Sequence, residues 1–148
     1  MNNKIIIING PNLNLLGERE QSQYGSTTLK QLKENCSKKG QEIGLDIEFA
    51  QSNIEGELVN IIQDARKKFD GMIINAAAFT HTSVAIRDAL DLFKKPIIEL
   101  HLSNIYKREE FRHKSLISGV VSGGIFGLGA EGYILAIISL QKSLQNEN

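Results

Sequence analysis

The chain has 148 residues, enough for one domain with a sizeable core, and its 17 basic residues are matched by 17 acidic ones. A neutral chain sets up no broad field to draw nucleic acid or anionic lipid, and no apolar run approaches the roughly 20 residues of a membrane helix. One cysteine and three histidines, without paired ligand spacing, exclude an internal disulfide framework and give no support to a metal site, so a single cytoplasmic domain over 1–148 is expected.

Lys4–Asn9, with isoleucine at every position from Ile5 to Ile8, reads as a strand buried on both faces. It runs into Asn-Gly-Pro-Asn-Leu-Asn-Leu-Leu-Gly at 9–17 and then Glu-Arg-Glu-Gln-Ser-Gln-Tyr-Gly at 18–25. Ordinary strand-to-helix connections take roughly 2–6 residues. A longer, polar one at the carboxyl end of a buried strand predicts a binding role, with residues 18–25 as a lid. Thr28–Lys39 follows as a helix with Leu29, Leu32 and Cys36 on one face and Ser26 and Thr27 as candidate caps. Leu45–Gln51 alternates apolar and polar residues as an edge strand does, and Glu57–Phe69 is an amphipathic helix carrying Leu58, Ile61, Ile62, Ala65 and Phe69. Gly71–Asn75 is a third strand, and Ser83–Phe93 a helix with Val84, Ala85, Ala89, Leu92 and Phe93 inward. Pro96–His101 and Gly119–Phe126 supply the last strands, and Glu131–Leu144 a closing helix.

This alternation predicts an α/β fold of three layers, a flavodoxin-like, doubly wound, five-stranded parallel sheet. With strand 1 beside strand 3, the reversal in strand order brings three loops around one crevice: the one bearing Asn12, the one from Asn75 to Ser83, and the one from Glu99 to Asn104.

Several side chains on that rim invite a chemical reading. His101 ends an apolar strand, where histidine serves as a proton donor or acceptor near neutral pH, or as a structural residue. His81 stands in Thr80-His-Thr-Ser83 at a helix start, where the hydroxyls can cap, and Asn75 can tie down a turn. Asp88 and Arg112, the latter in the charged run 107–114, read as solvated surface from pattern alone. Arg19 and Tyr24 gain from each other: free tyrosine ionises near pH 10, and a guanidinium within about 4–6 Å favours the phenolate, which is a base. A loop carrying both could close over a substrate and complete the site. Gly127-Leu-Gly-Ala-Glu-Gly132 fits G-x-G-x-x-G, but no strand follows it and the expected acidic partner would fall past residue 148, so a tight turn with close helix–sheet packing is the better reading. Cys36, on an inward helix face, is expected to act as a small hydrophobe.

Taken together, these blocks resemble the type II 3-dehydroquinate dehydratases, small cofactor-free enzymes of the shikimate and quinate pathways. The likeness spans almost the whole chain: Asn9–Gly17, Arg19, Tyr24-Gly25, Asn75, Phe79–Ser83, Ala85–Asp88, Glu99–Asn104, Arg108–Arg112 and Gly127–Tyr133. It implies anti elimination of water from 3-dehydroquinate through an enolate. By the same resemblance Tyr24 is the general base, Arg19 keeps it ionised, and Asn12 holds a water on the enolate oxygen. His101 would be the acid for the leaving hydroxyl. Asn75, His81, Asp88 and Arg112 would position the ring hydroxyls, with the substrate carboxylate against Leu102 and Ser103. No cofactor or metal is implied, and a homododecamer built from trimers is the expected assembly. Two departures stand out: Gln21 where the family usually has proline, and Ala76-Ala-Ala-Phe79 where it usually has Pro-Gly-Ala-Tyr.

Two other readings compete with this one. A Schiff-base dehydratase or aldolase needs a lysine at a strand's carboxyl end, and none stands there. A non-catalytic flavodoxin-like module for FMN or another small molecule would want hydroxyls and glycine in the first loop, which instead holds Pro11 and leucines.

Overall fold

The computed structural model describes residues 1–147. Five parallel strands, Asn3–Asn9 (β1), Leu45–Gln51 (β2), Gly71–Asn75 (β3), Ile97–His101 (β4) and Gly123–Phe126 (β5), form one sheet in the order β2-β1-β3-β4-β5. The expected flavodoxin-like fold is therefore present. Successive side chains of a strand point to opposite faces, and Ile5–Ile8 exploit this fully. Ile5 and Ile7 enter one core cluster with Leu32, Cys36, Tyr133, Ile137 and Leu140, which belong to helices Leu29–Ile43 (α2) and Glu131–Asn146 (α5). Ile6 and Ile8 enter the other, with Leu58 and Ile62 of Glu55–Lys68 (α3) and Ile86 and Leu90 of Val84–Asp91 (α4). Helices cover both faces, which is why a run of four isoleucines is needed at the centre. Among the described residues no helix is long and apolar enough to cross a membrane.

Local differences from the sequence expectations have identifiable causes. Thr28, not Ser26 or Thr27, caps α2, because its hydroxyl accepts from Gln31 N–H while the Gln31 side chain accepts from Thr28 N–H. The helix continues past Lys39 to Ile43, where Gly44 takes a left-handed φ of 80° and closes it with its N–H on the Gly40 carbonyl. The second long helix starts at Glu55 rather than Glu57 and ends at Lys68. In α4 the buried face is Ile86, Ala89 and Leu90, followed by Phe93; Val84 and Leu92 are 58% and 51% exposed, contrary to the predicted inward face. The last strand is shorter than Gly119–Phe126, since residues 118–120 form a 3₁₀ turn and pairing with β4 begins at Gly123.

The glycine-rich block is a tight turn, as read: Gly127 and Gly129 take left-handed φ values of 84° and 63°. Gly132 packs against the sheet, its notional Cβ lying in ordinary contact at 3.4 Å from Ile125 and 3.5 Å from Leu100. Cys36 is fully buried, and burial pushes its thiol up to about 12, so it behaves as an apolar side chain.

Candidate active site

Parallel strands deliver their carboxyl ends to one rim, and here β1, β3 and β4 lie side by side. Their following loops enclose a cavity of about 110 Å³ lined by Asn12, Asn75, His81, His101, Leu102 and Ser103, together with Arg19, Tyr24, Arg108 and Arg112. Asp88 does not line it. It is exposed on α4, one turn from Val84 and one turn from Leu92, which are exposed as well.

The first wall depends on close backbone approach. Gly10 N–H donates to the Asn75 carbonyl at 2.8 Å, tying the loop after β1 to the loop after β3. Asn12 adopts a left-handed φ of 69°, and its N–H donates to Asn53 Oδ1 at 2.9 Å. Gln51 Nε2 donates to both Gly10 O and Asn53 Oδ1, so the end of β2 braces this wall. Asn75 Oδ1 accepts from Ala77 N–H at 3.2 Å, the turn-tying bond expected of it. Ala77 stands where the family usually has glycine and takes φ 52°, so alanine occupies the left-handed conformation that glycine adopts without strain.

The predicted lid contains a short helix, Gln21–Tyr24 (α1), that sequence periodicity did not signal. Gln21 Nε2 donates to Gly17 O at 2.9 Å, so the residue that replaces the usual proline tethers the helix start. Arg19 Nη2 lies 3.4 Å from Tyr24 Oη, and its Cζ is 4.4 Å from the ring centroid. A second guanidinium, that of Arg108, has its Cζ 5.1 Å from the same ring. The Arg108 side chain is only 8% exposed, donates through Nη1 to Ser103 Oγ at 3.3 Å, and leaves Nε without a hydrogen bond. Sequence reasoning missed this residue because charge runs such as 107–114 read as solvated.

Behind His101 stands a second residue the sequence did not single out. His101 Nε2 lies 2.6 Å from Glu99 Oε2, with both side chains buried. The same carboxylate accepts from Ser118 Oγ at 2.5 Å and Ser115 Oγ at 3.0 Å. Burial pushes the Glu99 carboxyl up, but the bonds from His101 and Ser118 outweigh it and hold the group below the usual carboxylate range. An ionised carboxylate thus orients the His101 ring through its Nε2.

His81 is set differently. Its Nδ1 lies 2.8 Å from the Lys114 carbonyl, which can only accept, so Nδ1 carries the proton and Nε2 is left as an acceptor. Burial lowers its pKa, against the opposing pull of that bond, and the ring is neutral near pH 7. The His81 and His101 rings stack at 6.2 Å. Arg112 approaches the cavity with Nε held by both Glu109 carboxylate oxygens at 3.2 and 3.3 Å. The sheet ladder ends at His101, so the Leu102 and Ser103 amides lie beyond the last strand pairing. Ser103 Oγ accepts from Arg108, which leaves its own O–H free to donate. The cavity therefore combines a phenol beside two cations, an imidazole on a carboxylate, and several neutral donors and acceptors.

The chain is similar to known proteins over nearly its whole length. The family model for class II dehydroquinase matches residues 3–141. A 3-dehydroquinate dehydratase of Clostridium perfringens is 51% identical over 145 residues, covering 97% of this chain and 99% of its own. One from Rhizobium johnstonii is 50% identical over 141 residues, covering 95% and 97%. The crystal structure of the type II dehydroquinase from Propionibacterium acnes superposes with a TM-score of 0.93 at 44% identity, covering 96% of this chain and 98% of that one. The chain therefore belongs to the class II dehydroquinases, the hydro-lyase family of type II 3-dehydroquinate dehydratases.

Proposed function

We propose that the chain converts 3-dehydroquinate to 3-dehydroshikimate by anti elimination through an enolate. Tyr24, as phenolate, removes the proton beside the ketone, and the electron pair moves onto the ketone oxygen. A water held by Asn12 hydrogen-bonds that oxygen. His101, as imidazolium, then gives a proton to the departing hydroxyl, which leaves as water while the enolate collapses to the conjugated enone. The proton taken by Tyr24 and the one given by His101 balance over the turnover.

The observation that carries this reading is the pairing, within one cavity, of Tyr24 beside Arg19 and Arg108 with His101 on the Glu99 carboxylate. The two guanidinium groups stand where they can stabilise negative charge on the phenol oxygen, and the Glu99 carboxylate stands where it can stabilise positive charge on the His101 ring during proton transfer. The substrate carboxylate would rest on the Leu102 and Ser103 amides and the Ser103 hydroxyl. Asn75, His81 and Arg112 would take the ring hydroxyls. Asp88 faces away from the cavity of its own chain, on a helix face shared with exposed Val84 and Leu92. We assign it to the cavity of a neighbouring copy within the proposed trimer-based dodecamer.

Formation of the conjugated enone from 3-dehydroquinate, followed by ultraviolet absorbance, tests the proposal. Tyr24→Phe and His101→Ala are each expected to lower kcat by at least about 100-fold with the fold retained. Near-normal turnover in either variant would remove the assigned role, and no turnover by the unaltered protein would remove the reaction.

A further inference from the structure

Tyr133 is fully buried in α5, away from the cavity lining, yet its hydroxyl makes two hydrogen bonds to the strand ends that build the site. It donates to Asn9 Oδ1 at 2.7 Å and accepts from Asn75 Nδ2 at 3.0 Å. At one end of this chain Asn9 Nδ2 donates to the Ala50 carbonyl at 3.0 Å. At the other, Asn75 Oδ1 accepts from Ala77 N–H at 3.2 Å.

The polarity of every member follows from the two ends. A carbonyl oxygen only accepts, so the Asn9 nitrogen must face Ala50 and its oxygen must face Tyr133. The phenol must then donate to Asn9, which leaves its oxygen as the acceptor for Asn75. A backbone N–H only donates, so the Asn75 oxygen must face Ala77 and its nitrogen must face Tyr133. The two arguments meet at the same bond and agree. Burial raises the Tyr133 pKa further above its ordinary value of 10, so the phenol keeps the proton on which the order depends. One N–H of the Asn75 amide is then spent on Tyr133, and Asn75 lines the cavity.

We propose that Tyr133, ordered by Asn9, is a positioning residue that fixes the orientation of the Asn75 amide so that it offers the substrate an N–H donor. This rests on the proposed function only in taking Asn75 as a substrate contact. Without the phenol only the longer 3.2 Å bond from Ala77 N–H would hold the amide, which could then turn its oxygen toward the ligand and lose the donor. A bond made alike to substrate and transition state alters KM rather than kcat.

The test is Tyr133→Phe, which keeps the buried ring and deletes the hydroxyl. KM for 3-dehydroquinate is expected to rise about five- to tenfold, with kcat within about twofold of the unaltered protein. Asn9→Ala, which keeps the phenol but frees its proton, is expected to move KM in the same direction. Ile137→Val, one turn along the same helix in the same core, lowers stability without touching the chain of bonds and is expected to leave KM unchanged. A KM rise in Ile137→Val equal to that in Tyr133→Phe would overturn the proposal, as would an unchanged KM in Tyr133→Phe. A readout independent of turnover comes from the Asn75 side-chain amide in nitrogen-15 NMR, assigned with Asn75→Ala. One of its two protons is expected to be protected from exchange, and that protection is expected to be lost in Tyr133→Phe. Equal exchange in both proteins would overturn the proposal even if the enzyme reading fails on its own assay.

Discussion

Gly10→Ala probes how closely two walls of the site must approach. A Cβ built on Gly10 falls 2.5 Å from the Ala76 carbonyl oxygen and 2.7 Å from its carbon, where ordinary contact begins near 3.4 Å. The difference, 3.4 less 2.5, asks for about 0.9 Å of movement. Both partners are backbone, and the Gly10 N–H bond to Asn75 O at 2.8 Å holds them together, so no flexible side chain can yield instead. Forced overpacking of this kind costs roughly 1–3 kcal/mol. For a domain of this size Tm should fall by about 3–10 °C in a calorimetric scan. The same movement separates Asn12 from Asn75 and His81, and a misplacement of about 1 Å can cost on the order of 100-fold in kcat/KM, read in the enone assay. Gly56→Ala is the matched control: nothing lies within 4 Å of its notional Cβ, and it sits in the first turn of α3. There alanine should stabilise by roughly 0.5–1 kcal/mol and leave activity alone. A Gly10→Ala protein with unaltered Tm and kcat/KM would refute the close-approach argument.

Glu99 predicts a pH dependence whose sign is fixed. Its folded pKa lies below the ordinary 4.5, so the stability it contributes is complete above about pH 4.5 and is lost as pH falls through the lowered folded value. Denaturant unfolding from pH 7 to 3 should show a steeper acid loss for the unaltered protein than for Glu99→Gln, and equal slopes would count against a carboxylate held ionised by His101 and the serines. Asp88 offers a test by mixing. If it serves a neighbour's cavity, co-refolded Tyr24→Phe and Asp88→Ala chains should show more activity than either parent, because some cavities regain both groups. Mixed oligomers with only the average of the parents would remove the assignment of Asp88 to a neighbour's cavity.

Most of the fold was legible because its signals are local. Four successive isoleucines admit little besides a strand covered on both faces, and the spacing of the helices then fixes a parallel sheet. Asn12, Asn75 and His101 could be brought together because strand order alone decides which loops share a rim. What escaped was decided by side-chain direction. Val84 and Leu92 carry apolar periodicity as good as that of Ile86 and Leu90, and nothing in the spacing says which stripe meets the sheet. Arg108 lay within a charged run, and only a 3₁₀ turn at 105–107 carries it beneath Tyr24. Glu99 and His101 stand two residues apart on β4 and so share a face of the strand, a signal that period-two alternation carried but that a wholly buried strand gave no reason to read as a polar pair.

Arg19 and Tyr24 sit at either end of the same short segment, while Arg108 belongs to the body of the domain. Any opening of residues 18–25 would therefore carry Tyr24 and the Arg19 guanidinium away together and leave that of Arg108 behind. In the open form the phenol would be parted from one of its two guanidinium neighbours. Closure would bring the phenol back between both guanidinium groups only when the entrance is shut. The Gln21 tether to Gly17 lies at the foot of that segment, where small changes in sequence would set how often the step occurs.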